Sequence, residues 1–98
     1  MPQAEPPRVW HVDAHVGWKR PDSGSVARAL AEGVAAQPAA DAVSGTATDF
    51  GFAVRFQVMA TSRLDADAAA SRTERAAWAA TGIEVTKEDL SVTSISLR

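Results

Sequence analysis

Apolar and polar residues alternate almost without a break from Val9 to Trp18, where the chain reads V-W-H-V-D-A-H-V-G-W. Side chains on a β-strand point to opposite faces in turn. The alternation therefore predicts a strand with a core-facing side and a polar side, the polar side carrying His11, Asp13 and His15. The core-facing residues are Trp10, Val12, Ala14, Val16 and Trp18.

A helical period follows this strand after a turn rich in Pro, Gly and Ser. Val26, Leu30 and Val34 recur at every fourth position, which predicts an amphipathic helix over residues 26–37. Pro38 marks its end, because the residue before a proline avoids the helical region. Three residues of the turn can each act as the N-cap: Asp22, Ser23 and Ser25.

Three further strands are predicted from composition and alternation. Residues 41–48 are rich in Ser, Thr and Ala and only weakly apolar, which is typical of an edge strand. A short connection over residues 49–51 contains a glycine and predicts a hairpin. It leads to residues 52–61, whose alternation predicts a strand buried on one face. Residues 90–97 alternate again and form the last strand.

An alanine-rich second helix is predicted over residues 66–81. Asp65 is placed to act as its N-cap, and Gly82 follows where a left-handed C-terminal cap is expected. Trp78 lies off the alanine stripe of this helix and is expected to pack over the edge of the core. The alternative is an exposed interface anchor, since Trp is enriched at binding hot spots.

The order of the predicted elements is β-α-β-β-α-β. The strands over residues 9–18 and 52–61 have strong apolar faces and are expected at the centre of the sheet. In plan the chain resembles the ferredoxin-like superfold, a plait in which an antiparallel four-stranded sheet of order 4-1-3-2 carries two helices on one face. The expected fold class is therefore α+β, with one domain over residues 9–98 after a flexible proline-rich arm of residues 1–8.

Alanine makes up 21 of the 98 residues, so large apolar side chains are few. A core of this size leaves little margin over the entropy lost when the chain is ordered. Burial against a second copy would add apolar contact, and we therefore expect a homodimer.

Charge and composition bear on partners and location. The net charge is −2 and the Lys and Arg residues are scattered, which argues against nucleic acid as a partner. The absence of cysteine excludes disulfides and thiolate metal sites. No apolar run approaches the ~20 residues of a membrane span, which argues against a membrane partner. The N-terminus has neither the basic nor the apolar region of a signal peptide, so we expect a soluble cytoplasmic protein.

The row formed by His11, Asp13 and His15 has the greatest chemical potential, and three interpretations of it remain open. It is a plain solvated or dimer-facing surface, or a pocket in which His15 or His11 performs acid–base chemistry beside Asp13, or a zinc site. Zinc is the weakest of the three, because one straight strand rarely converges three ligands and the chain has no further His or Cys. No metal and no cofactor are expected.

If the two central strands are neighbours, Arg55 and Gln57 lie beside this row. Arg55 would then give Asp13 a charge partner. Either residue, or a group from a second subunit, would be the polar partner that His15 needs for chemistry. Met59 lies on the same side of its strand and is apolar, which indicates a face covered by a subunit or a ligand.

The preferred hypothesis is a small non-enzymatic binding or assembly module that self-associates through the open face of its sheet or an edge strand. It would serve as an accessory or regulatory partner, binding a protein or a small molecule. The alternative is a small dimeric α+β-barrel enzyme or ligand-binding protein that encloses the histidine row for acid–base chemistry. The residues assigned to the ligand or interface site are His11, Asp13, His15, Arg55, Gln57 and Met59.

Overall fold

Four strands and two helices follow one another in the predicted order, β-α-β-β-α-β. The computed structural model describes residues 6–48 and 50–98, with the backbone alone for residues 90–92. The strands are β1 (Arg8–Trp18), β2 (Asp41–Thr48), β3 (Gly51–Ala60) and β4 (Leu90–Leu97), and the helices are α1 (Ser23–Ala35) and α2 (Arg63–Thr81). Residues 1–5 of the predicted arm and Asp49 of the hairpin connection lie outside the described residues.

The strands form one sheet in the order β2-β3-β1-β4, and every pair of neighbours is antiparallel. The prediction that the two strongly apolar strands lie at the centre is confirmed, because β1 and β3 are neighbours. The Ser- and Thr-rich strands β2 and β4 form the two edges. The chain is thus an α+β protein with a four-stranded antiparallel sheet and two helices.

The register between β1 and β3 puts the large side chains of both strands on one face. Trp10 lies opposite Val58 and Val16 lies opposite Phe52, and all four are buried. Both helices pack on this face. The predicted core-facing residues of β1 and the apolar positions of α1 are confirmed as buried, and they share one cluster with the inward residues of β3: Trp10, Val12, Val16, Val26, Leu30, Val34, Val54, Phe56 and Val58.

The two helices approach each other closely where both lack bulky side chains. A Cβ atom added at Gly33 of α1 would lie 2.8 Å from the carbonyl oxygen of Ala77 on α2, so glycine is required there. The buried positions of α2 are Ala66, Ala70, Thr73 and Ala77. Within the described part of the chain, neither helix has the length and hydropathy needed to cross a bilayer.

An aromatic cluster closes one end of the core. Trp18 stacks on Trp78 with ring centroids 5.9 Å apart, and Phe52 lies 6.0 Å from Trp18 and 6.1 Å from Trp78. Trp78 is half-buried, which confirms that it packs over the edge of the core. Aromatic pairs at such separations contribute about 0.5–1.5 kcal/mol beyond their buried area. These contacts add stability where the alanine-rich helix supplies little volume.

The N-terminal caps of both helices differ from the prediction, whereas the predicted left-handed cap at Gly82 is confirmed at the end of α2. Asp22 occupies the N-cap position of α1, but its side chain caps no helical N–H group. Its carboxylate instead accepts hydrogen bonds from the Trp18 indole (Nε1–Oδ1, 2.8 Å) and from Arg20 (Nη2–Oδ2, 2.7 Å). The hydrogen bond from the Trp18 indole lowers the pKa of Asp22, and the one from Arg20 lowers it further. Desolvation of the carboxylate acts in the opposite direction but does not outweigh these bonds. In α2 the cap is Ser62, whose hydroxyl accepts from the backbone N–H of Asp65, the residue predicted as the cap.

Two other features of the backbone were not predicted. The pairing of β2 with β3 shifts register between Asp41 and Ser44, and Ala42 within this bulge has a φ of 51°, in the left-handed region. The second feature is the start of β1 at Arg8, a residue assigned to the arm. Arg8 pairs with Ala60 of β3, and its guanidinium carbon lies 3.6 Å from the centre of the Trp10 ring, in a cation–π contact.

Replacing a core aromatic residue tests the assigned face of β3. Phe56→Ala should lower the free energy of unfolding by about 3–5 kcal/mol, because it removes a fully buried ring and leaves a cavity. Phe50→Ala is the matched control, since that ring is 81% exposed and its loss should change stability by less than ~0.5 kcal/mol. Urea denaturation measures both. Equal effects would mean that the face assignment is wrong.

Glu74 provides a test of pH dependence. It lies half-buried one turn before Trp78, and burial raises its pKa above the usual 4.5, against a smaller opposing effect of the Trp78 indole. The folded state then binds more protons than the unfolded state between the two pKa values, so stability should fall as pH rises through that window. Glu74→Gln should remove this fall and raise the melting temperature at pH 7. Glu32→Gln, at an exposed position of α1, is the control.

Candidate functional site

The six predicted site residues all lie on the face of the sheet opposite the helices. The even-numbered residues of β1 and β3 are buried beneath the helices, so these six odd-numbered residues point to the other face of the sheet. No helix of the described residues packs on this face, which we call the open face. It comprises His11, Asp13 and His15 from β1 and Arg55, Gln57 and Met59 from β3.

Strand register arranges the open face in cross-strand rows. Directly opposed residues of an antiparallel pair project to the same side, with Cβ atoms about 4.5–5.5 Å apart. His11 exchanges two backbone hydrogen bonds with Arg98, of 2.7 and 2.9 Å, so Arg98 continues the register of β4. From β3 through β1 to β4, the three rows are Gln57–His11–Arg98, Arg55–Asp13–Ser96 and Ala53–His15–Ser94.

Asp13 and Arg55 form an ion pair at the centre of the open face. The Nε atom of Arg55 lies 3.2 Å from Oδ2 of Asp13. The prediction that Arg55 gives Asp13 its charge partner is confirmed. The Arg55 side chain is 64% exposed and that of Asp13 25%, so solvent screens much of the attraction. The pair therefore fixes the direction of the guanidinium more than it stabilises the fold.

A shallow depression of about 450 Å³ opens beside this ion pair. Its polar lining comes from three strands: His11 and Asp13 from β1, Arg55 and Gln57 from β3, and Arg98 after β4. Ala42, at the bulge of β2, also lines it. Sequence reasoning missed Arg98. The signal was the alternation of the last strand, which continues through Ser94 and Ser96 to Arg98 on the polar side.

His15 lies in the third row, apart from the lining of this depression. Directly opposite it are Ala53 on β3 and Ser94 on β4. Neither Arg55 nor Gln57, two of the polar partners named for His15, lies directly opposite it, because the register pairs Arg55 with Asp13 and Gln57 with His11. Among the histidines, His11 rather than His15 therefore borders the cavity.

The other end of the open face carries exposed aliphatic side chains. Val9 and Met59 lie opposite each other, with 42% and 57% of their surfaces exposed. They line a second depression of about 420 Å³ together with Pro38 and Asp41, and Gln57 borders both depressions. The two hollows thus meet at Gln57, and the second contains exposed aliphatic groups beside the Asp41 carboxylate.

The chemistry available to the open face is recognition by charge and hydrogen bonds. In residues 6–48 and 50–98, no group of three or more His, Cys, Asp or Glu side chains could hold a metal ion. Asp13 forms an ion pair with Arg55, and it lies two residues from each histidine along β1. Such i, i+2 side chains on one strand are parallel and too far apart for a short hydrogen bond. Among the described contacts, the hydrogen bond of Asp13 goes to Arg55 and not to either histidine.

Comparison with known proteins adds no assignment. No protein-family model matches the chain, and the curated proteins and solved structures searched give no significant match. Function is therefore inferred from the residues and geometry of the open face.

A double-mutant cycle tests the role of the central ion pair. The coupling free energy between Asp13→Asn and Arg55→Gln should be below about 1 kcal/mol and should shrink in high salt, because the pair is solvent-exposed. Urea denaturation of the wild type, both single variants and the double variant gives this value. A coupling of several kcal/mol would show that the pair serves mainly to hold the sheet together.

Proposed function

We propose that this chain is a small non-enzymatic binding module that pairs with a second copy of itself through the open face. The observation that supports this most strongly is the exposure of Val9 and Met59 at one end of a face that carries both charge signs. Apolar groups exposed beside a polar rim are typical of interaction surfaces. In the cell, the pair would act as an accessory or regulatory partner, and its cytoplasmic location remains a prediction.

The size of the open face suits a two-fold pairing. Strands about 4.8 Å apart that rise ~3.3 Å per residue give a four-stranded face of roughly 19 by 33 Å. That is on the order of 600 Å² in projection, near the ~800 Å² that each partner of a standard interface buries. A second copy seated face to face would therefore cover most of the sheet.

The charge pattern is compatible with self-complementarity. A two-fold interface brings the same patch of both copies together, so each patch must offer both signs. Here Asp13 lies in the middle row, with Arg55 beside it and Arg98 in the next row. An arginine of one copy can thus meet the aspartate of the other. The lean, alanine-rich core gives such pairing an energetic reason, since it would bury further apolar surface.

The finer fold class belongs to the same proposal. Counted from its other edge, the sheet order β2-β3-β1-β4 reads 4-1-3-2, the order of the ferredoxin-like plait. The order of elements and the antiparallel pairing of every neighbour support this class. Such folds host many functions, so the class itself does not choose among them.

The alternative, a ligand-binding protein or a dimeric α+β-barrel enzyme, is favoured by one observation, the depression beside the ion pair. Two paired sheets would enclose it. Of the residues named for acid–base chemistry, His11 and Asp13 line it and His15 does not. The geometry thus supports ligand binding better than catalysis.

Matched cation substitutions test the pairing surface. Light scattering should give the wild type twice its chain mass of 10.3 kDa. Met59→Lys should raise the dissociation constant at least about tenfold, because it places a charge in the apolar part of the interface. Leu64→Lys is the control: Leu64 is 79% exposed and lies on α2, on the other side of the sheet.

Two outcomes would contradict this proposal. One is a wild-type monomer at every concentration reached, and the other is an equal effect of the two lysine variants. Circular dichroism of both variants shows whether the fold is retained.

A further inference from the structure

We propose that the open face binds a small amphipathic carboxylate, with its charged head in the depression beside Arg55 and its aliphatic tail over Met59. The site is formed within one chain, so this inference goes beyond the pairing of two copies. It lies on the surface that the proposed pairing would cover, so the carboxylate and a second copy would compete for Arg55 and Met59. The ligand class follows from the charges, the hydrogen-bond donors and the apolar surface that the two depressions bring together.

The charged depression favours a single negative charge. Its ionised side chains are two arginines, Arg55 and Arg98, and one aspartate, Asp13, which leaves one net positive charge when His11 is neutral. The whole chain carries a net charge of −2, so this depression is opposite in sign to the chain. Asp41 lines only the second depression, where the uncharged tail would lie. A carboxylate of one charge matches that excess, whereas a phosphate monoester carries up to two negative charges.

Arg55 is oriented before any ligand arrives. Its Nε atom is held by Asp13 at 3.2 Å, while among the described contacts its terminal nitrogens have no protein acceptor. An arginine guanidinium binds a carboxylate through two parallel N–H groups, and an arginine already fixed by another bond loses less entropy in doing so. Asp13 is thus a positioning residue for the proposed head-group contact.

Exposed aliphatic side chains on the open face account for the tail. Gln57 borders both depressions, and beyond it lie Met59, Val9 and Pro38, with Asp41 at the β2 side of the same depression. The Gln57 amide can donate to a carboxylate oxygen, while the Met59 and Val9 side chains offer aliphatic contact. The combined hollow, of about 450 and 420 Å³ in its two parts, lies within the ~300–1,000 Å³ of small-molecule sites. A chain of several methylenes fits this arrangement better than a compact anion.

A titration with hexanoate, followed by the amide resonances of the protein, tests this directly. Hexanoate should shift resonances of β1 and β3 on the open face, and the uncharged hexanamide should not. Arg55→Gln should weaken hexanoate about tenfold, because a charge-assisted bidentate contact is lost. Arg72→Gln, at an exposed position of α2, should leave the affinity unchanged.

Two further variants separate the head from the tail and remove an ambiguity. Met59→Ser should weaken hexanoate but not acetate. Arg55→Gln leaves Asp13 unpaired and repulsive to anions, so the double variant Asp13→Asn/Arg55→Gln should also lose binding.

Three results would overturn the assignment. The first is that hexanamide binds as tightly as hexanoate. The second is that Arg55→Gln and Arg72→Gln have the same effect on hexanoate affinity. The third is that acetate and hexanoate bind with equal affinity. The molecular mass is measured on the same samples. A monomer that binds hexanoate would therefore contradict the proposed pairing but support the carboxylate site, and a dimer that does not bind it would do the reverse.

Discussion

The antiparallel pairing of β1 with β3 holds Trp10 opposite Val58 and Asp13 opposite Arg55, on the two faces of the same sheet. A slip of one residue would turn every side chain of one strand to the wrong face. Each large apolar side chain moved into water would cost about 1.5–3 kcal/mol, so core burial strongly favours the observed register. Burial of the core face therefore fixes which charged residues lie next to each other on the open face. The weak ion pair between Asp13 and Arg55 does not have to supply the energy for that arrangement.

Volume is distributed unevenly between the sheet and the helices. The sheet contributes rings and branched chains, whereas the buried positions of α2 are small enough for Gly33 and Ala77 to come into contact. Close approach of two backbones leaves no cavity to fill, but it also buries little apolar area. Trp78 compensates at the end of α2, where its ring covers Trp18 and Phe52. The structure thus has its largest side chains where the sheet ends and its smallest where the helices meet.

The sequence allowed the faces to be predicted, but not the neighbours across strands. Alternation in β1 and β3 is local, so it correctly placed all six site residues on one face and both strands at the centre. Which residue lies opposite His15 depends on a register set by distant contacts, and it is neither Arg55 nor Gln57, the residues named as its polar partners. Arg98 was missed although the polar positions Ser94 and Ser96 continue to it along the last strand. The side chain of Asp22 makes no capping bond for a related reason. Its carboxylate is bound by the Trp18 indole and by Arg20, and rules of helix capping do not include such competing donors.

The bulge in β2 has a consequence for the edge of the sheet. A free edge strand presents unpaired N–H and C=O groups on which another chain can add, strand by strand, into a growing fibril. Between Asp41 and Ser44 the backbone of β2 departs from regular pairing, with Ala42 in a left-handed conformation. Bulges bend and twist a strand, so a straight incoming strand cannot follow this edge along its whole length. The same kink that brings Ala42 to the rim of the depression thereby makes β2 a poorer template for the addition of a further strand.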